Sequence, residues 1–147
     1  MKIAEKLGID PKKFFKYYTT DENWGDDWER CQRDIYQVVL DAQKAAIGTI
    51  RPGIAFRQVH DTACLRIAVG LKELGLMRGD SKEAVAAGAH ALFFPHGLGH
   101  MLGLDVHDME NLGENNVGYD ETVTRSTQFG LAYLRLAKEL KPGFLVT

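Results

Sequence analysis

Cysteine is scarce in this 147-residue chain, with only Cys31 and Cys64 present, each inside an apolar helical pattern. Two isolated thiols exclude a disulfide framework and a zinc-finger pair. They read as reduced core residues, and the expected compartment is the cytoplasm. Charge of one sign is also lacking: the net charge is -2, the isoelectric point is near 6.2, and no basic cluster occurs. Neither a nucleic acid nor an anionic membrane surface is an expected partner. Long hydrophobic runs are missing as well, since no stretch approaches the roughly 18 apolar residues of a membrane span. The first residues, Met1-Lys2-Ile3-Ala4-Glu5-Lys6-Leu7, carry no signal-peptide core. There is no internal repeat and no low-complexity linker. What is present, 45% apolar, 26% charged and 10% aromatic residues, suits one globular domain with a real core.

Periodicity places helices in the first two thirds of the chain. Asp10-Pro11 forms a helix start leading into Phe14, Phe15, Tyr17 and Tyr18, and residues 19 to 27 read as an acidic, solvated loop. From residue 29 to about residue 50, Cys31, Ile35, Val38, Val39, Ala42, Ala45, Ala46 and Ile50 recur at spacings of three and four, and Arg51-Pro52-Gly53 ends the helix. A second helix follows, with Phe56, Val59, Ala63, Ile67, Leu71 and Leu74 on one stripe and Gly75 at its carboxyl end. His60 falls one position beyond that stripe and reads as a surface histidine. Asp80 and Glu83 resemble a capping box opening a short helix to about residue 91, in which His90 is structural.

Beyond residue 91 the pattern changes. Residues 91–94 and 104–107 are too short for helices and read as strands around a glycine-rich turn, while residues 111–122 read as a loop. Residues 129–140 suit either helix or strand. Lys141-Pro142-Gly143 makes a turn into a strand at residues 144–147.

The chemistry is concentrated between Phe94 and Asp108. Three of the five histidines, His96, His100 and His107, and two carboxylates, Asp105 and Asp108, fall among glycines there. Glycine lets backbone crowd a ligand, imidazole serves as metal ligand or proton carrier near neutral pH, and short carboxylates orient imidazoles from behind. A glycine-rich turn with solvated histidines is the plainer alternative. His96 and His100 are four apart, but Pro95, Gly97 and Gly99 oppose a helix and the glutamate of a zincin motif is missing. The expectation is a loop or strand pair that turns the three imidazoles toward one cavity.

The run His96-Gly-Leu-Gly-His100-Met-Leu-Gly-Leu-Asp-Val-His107-Asp108 resembles the signature of the Xaa-Pro aminopeptidases and prolidases, metallopeptidases with the creatinase and methionine aminopeptidase "pita-bread" fold. The helix around Asp34-Ile35-Tyr36, the Arg51-Pro52-Gly53 turn, the following helix and the ending from Lys141 resemble the same family in the same order, so residues 29–147 are family-like and residues 1–28 match poorly. The resemblance implies an α+β fold: an incomplete pita-bread domain, helices packed on a curved antiparallel sheet. It implies that His100 is a metal ligand and that His96 and His107 face the substrate and serve its transition state. Asp105 and Asp108 have no ligand role in that pattern and are expected to hydrogen-bond behind the histidines or within the loop. The implied cofactors are two divalent ions, manganese or cobalt, holding a hydroxide that attacks the carbonyl before proline. The implied partner is a proline-containing peptide.

The departures matter equally. The family's two upstream aspartates and two downstream glutamates, the first in a Glu-Pro-Gly segment, have no convincing equivalents; Asp21, Asp26 and Asp27 lack the family's surroundings. One imidazole cannot hold two hard cations, so the isolated chain is expected to be an inactive piece of a longer enzyme. Unpaired strand edges would favour a homo-oligomer. A peptide- or protein-binding pseudoenzyme on the same scaffold is the alternative.

Overall fold

The computed structural model describes residues 24–147, with side chains from Glu29 onward. The expected helix at Asp10-Pro11 and most of the acidic loop lie outside the described residues. The end of that loop does not stay a loop: helix α1 spans Trp24–Thr49 and takes in residues 24–27. Helix α2 spans Phe56–Glu73, α3 Ser81–Ala86 and α4 Glu114–Gly118, with single 3₁₀ turns at Ala89–Leu92 and Glu110–Leu112.

The two long helices follow from their apolar spacing. On α1, Cys31, Ala42 and Ala46 are buried, and Ile35 and Val38 are partly so. Val39 and Ile50, expected on the same face, are exposed, because small residues let α2 approach along a narrow stripe. That approach is closest at Gly70, where a Cβ would lie 2.5 Å from Val38 Cγ2. Helix α2 lacks a side-chain cap; instead the N–H groups of Phe56 and Arg57 donate to the carbonyls of Lys138 (3.0 Å) and Ala137 (3.1 Å). Borrowed carbonyls thus satisfy first-turn donors that would otherwise be orphaned. At the other end Gly75 takes a φ of 72°, and Leu76 N–H returns to the Leu71 carbonyl at 2.8 Å, the left-handed closure that glycine favours. Asp80 caps α3 by accepting from Lys82 N–H (2.9 Å) and Glu83 N–H (3.0 Å). The helix stops at residue 86, earlier than its alanine content predicts, because Gly88 turns left-handed at φ 77°.

The expected sheet is not seen among the described residues. Among the described residues there are no strands, only antiparallel bridges pairing Ala55 with Glu139 and Met101 with Val146. Residues 91–94 enter a 3₁₀ turn in which both Phe93 and Phe94 N–H bond the His90 carbonyl. Residues 104–107 are a solvent-exposed bend that pairs with no strand among the described residues. Residues 129–140 are irregular, neither helix nor strand. A strand needs an extended neighbour in register over several residues. The one candidate for the last strand, residues 144–147, pairs only through Leu102 N–H to Leu145 carbonyl (2.9 Å) and Thr147 N–H to His100 carbonyl (3.1 Å). The Lys141-Pro142-Gly143 turn does form, with Gly143 at φ 90°.

One core cluster joins Ala46, Ile54, Phe56, Val59, Ala63, Leu136 and Leu140, with Leu98 and Met101 packed against it. It therefore reaches from both long helices to the histidine loop. A second, around Ala68, Leu71, Leu76, Met77 and Ala89, seats the 3₁₀ turn on α2. The helical half of the α+β expectation stands, and of the curved antiparallel sheet the described residues carry two bridges.

Candidate active site

The histidine loop is held from three sides, and glycine is required at the close approaches. At Gly97 a Cβ would overlap Leu134 Cα, and at Gly99, with φ 62°, it would strike the Thr147 carbonyl and come within 2.8 Å of Phe56. Leu98, between them, donates its N–H to Nδ1 of His60 at 3.2 Å. His60 is fully buried, so the reading of it as a surface histidine is overturned. The glycine loop covers the flank of α2 that helix periodicity left over for solvent.

His100 is half-buried, and its Nδ1 lies 2.9 Å from the Met101 carbonyl. A carbonyl can only accept, so Nδ1 carries the proton and Nε2 presents its lone pair. That is the tautomer a metal ligand needs. The His100 and His107 rings meet edge to face with centroids 4.3 Å apart. His107 Nδ1 is 2.6 Å from an Arg135 guanidinium nitrogen, which also donates to Glu110 at 2.6 Å. Since arginine is always a donor, Nδ1 accepts and Nε2 holds the proton of neutral His107.

His96 and His107 line one cavity of about 300 Å³ together with Gly97, Glu114, Arg125, Tyr133 and Arg135. The structure thus brings His96 and His107 to one space and sets His100 against the back of His107. Arg125 braces the far wall: it donates to Asn115 Oδ1 (2.8 Å), the Ala132 carbonyl (2.9 Å) and Glu114 (2.5 Å), and stacks over the Tyr119 ring at 5.0 Å. Tyr119 in turn donates to the Leu134 carbonyl at 2.5 Å, and burial pushes its phenol above the ordinary value.

Asp105 and Asp108 sit in the same bend without touching a histidine. The Asp105 carbonyl accepts from Gly103 N–H at 3.2 Å, Asp108 N–H donates to the Met101 carbonyl at 3.3 Å, and the Asp108 carboxylate packs over Gly103 where any Cβ would collide. The carboxylate beside His107 is that of Glu110, 3.8 Å from Nδ1. Sequence reading missed Glu110, Glu114, Arg125 and Arg135. Glu110 stands three residues after His107 and could have been noticed; the arginines lie far along the chain and carry no local signal.

Metal donors are sparse around His100. Among the described residues, no group of three His, Cys, Asp or Glu donor atoms includes it; the group that does form is His60, Cys64 and His90. The described residues therefore do not make the dinuclear site that the resemblance implies. No helix of the described residues is long and apolar enough to cross a membrane.

Comparison with known proteins bears on this arrangement. The model of metallopeptidase family M24 matches residues 17–147. The chain is 37% identical over 116 residues to a human Xaa-Pro dipeptidase, covering 79% of this chain and 22% of that protein. It is 47% identical over 77 residues to a probable Xaa-Pro aminopeptidase of Chaetomium globosum, covering 52% of this chain and 13% of that one. Among solved structures, it resembles proline aminopeptidase P II from Yersinia pestis (TM-score 0.59, 34% identity, 78% of this chain and 22% of that chain). It also resembles E. coli aminopeptidase P with the inhibitor Pro-Leu (TM-score 0.60, 32% identity, 80% and 22%). The chain thus spans between 13% and 22% of the length of these relatives. With the family model covering nearly all of it, the chain belongs to metallopeptidase family M24.

Proposed function

We propose that this chain is a segment of a metal-dependent peptidase that hydrolyses the bond before proline in small peptides. His100 would contribute one imidazole to the metal centre, and His96 and His107 would face the peptide. The observation that carries this reading is the pairing of tautomers: the Met101 carbonyl leaves His100 Nε2 free to ligate, while Arg135 leaves His107 with an Nε2 proton to offer. Such a proton, placed beside a developing oxyanion, stabilises charge only as it forms. The relatives' names, Xaa-Pro dipeptidase and probable Xaa-Pro aminopeptidase, and a neighbour solved with Pro-Leu support a proline-containing substrate. A zinc-substituted E. coli aminopeptidase P supports metal dependence; manganese or cobalt is the ion proposed here, and the cytoplasm the compartment.

His100 as a lone donor favours a second reading, a peptide-binding scaffold without turnover, for this chain taken alone. The two are separated by placing residues 29–147 into an intact Xaa-Pro aminopeptidase in exchange for its own matching segment. The hybrid is expected to cleave an Xaa-Pro tripeptide with manganese. It should lose both manganese affinity and turnover with His100→Ala, and lose turnover but keep manganese with His107→Ala. A folded hybrid that binds the peptide without cleaving it would favour the scaffold instead.

A further inference from the structure

Three donors gather in the core behind the histidine loop, and the family signature uses none of them. His60 and Cys64 are four apart on α2, so they stand one turn above the other on the same face, and His90 enters from the 3₁₀ turn at Ala89–Leu92. His60 Nε2 lies 3.3 Å from Cys64 Sγ, and one donor atom from each of the three residues falls within 4.8 Å of the others. All three are buried: His60 and Cys64 at 0% exposure and His90 at 1%. His90 is the informative member, because neither of its ring nitrogens has a hydrogen-bond partner. Leaving a buried imidazole unsatisfied is costly, and an apolar side chain would fill the space without that cost. A cavity of about 340 Å³, lined by Arg57, Asp61, Leu65, Lys82, Gln128 and others, has His90 in its wall.

We propose that His60, Cys64 and His90 form a binding site for a borderline-soft divalent transition ion, of which zinc is the type, separate from the metal centre at His100. Two imidazoles and a thiolate are a donor set suited to zinc, with a further position left for water. With Zn–S near 2.3 Å and Zn–N near 2.0 Å, tetrahedral geometry places sulfur and nitrogen about 3.5 Å apart, within a few tenths of an ångström of the separation observed. Thiolate softness also excludes magnesium and disfavours manganese, the ion proposed for the neighbouring centre.

Protons balance as follows. The Cys64 thiol releases its proton to solvent when sulfur binds the ion. His60 in the metal-free chain accepts from Leu98 N–H at Nδ1, so its own proton is on Nε2; binding through Nε2 moves that proton to Nδ1 and opens the 3.2 Å contact to Leu98. Leu98 lies between His96 and His100, so filling the buried site loosens one of the anchors of the histidine loop.

Cobalt(II) titration of the reduced, metal-free full chain tests the proposal, because a cobalt–thiolate bond gives a near-ultraviolet charge-transfer band. The band is expected to saturate at one ion per chain, to disappear on adding zinc, and to persist in Cys31→Ser and in His100→Ala. It should be lost in Cys64→Ser and need more than about tenfold higher cobalt in His90→Gln. If Cys64→Ser does not fold, Cys31→Ser still decides, since Cys64 is then the sole thiol. A wild-type chain without the band at saturating cobalt, a band that survives Cys64→Ser, or one that vanishes with Cys31→Ser in a folded chain would overturn the site.

Discussion

A buried imidazole that stays neutral makes the folded chain sensitive to acid, and His60 is such a group. Burial pushes its pKa down from 6.5 to about 4, outweighing the opposing influence of Asp61, and burial shifts His90 in the same direction. In the unfolded chain both histidines bind a proton near their ordinary value. As pH falls from 6.5 toward 4, the unfolded state therefore takes up protons that the folded state refuses, and stability falls; above that window the effect is absent. For His60 alone the loss amounts to about 3 kcal/mol. Urea unfolding from about pH 7 to about pH 4 should show that decline, and His60→Gln, which keeps an acceptor for Leu98, should flatten it by about the same amount. A wild-type midpoint that does not move across the window would refute the assignment. At this scale the sequence was only partly legible. The three loop histidines announced themselves by crowding among glycines. His60 did not, because a helix stripe shows which side faces one neighbour, here α1, and not that a loop from 38 residues further on covers a second side. Arg135 was invisible for a related reason: it reaches His107 across 28 residues of irregular chain, where no period links partners.

Between elements, the α1–α2 contact sets the closeness of the core, and Gly70 is its tightest point. A methyl group there would meet Val38 Cγ2 at 2.5 Å and Cγ1 at 2.8 Å. Valine on a helix has one strongly preferred rotamer, so it cannot swing aside and the helices must separate. Gly70→Ala gains up to about 1 kcal/mol of helix propensity and loses about 1–3 kcal/mol to overpacking, a net destabilisation of about 1 kcal/mol. Pairing it with Val38→Ala should recover most of the loss, and this non-additivity in chemical denaturation is the check. If Gly70→Ala alone were stabilising, the close approach would not be real. Both long helices were readable from the sequence because their cause is local: period, a proline-glycine stop after α1 and a left-handed Gly75 after α2. Asp80 was readable as a cap for the same reason. The end of α3 was not, since alanine propensity runs on to residue 91 and Gly88 at φ 77° cuts it short.

Over the whole molecule, strands were the least legible feature, because a strand is a property of its partner as much as of its own residues. Residues 100–102 and 145–147 pair across one bridge; the Met101 carbonyl on one outer side is taken by Asp108 N–H and His100 Nδ1, and the Val146 side has no strand partner among the described residues. Directly after them the bend exposes Leu104 completely and Val106 at 71%, and Leu145 stands out at 61%. Unpaired backbone edges next to bare apolar side chains promote association. The purified chain is therefore expected to self-associate as its concentration rises, and sedimentation velocity should show it. Replacing Leu104 and Val106 with serine removes the apolar surface without disturbing the core, so unfolding should stay within about 0.5 kcal/mol of wild type while the associated species recede. A wild-type chain that sediments as a clean monomer at every concentration would show that these side chains and edges are tolerated in water. The same substitutions then discriminate further: retained association in the double serine variant would place the contact elsewhere, with the exposed Tyr36, Val39 and Ile47 of α1 as the next face to change.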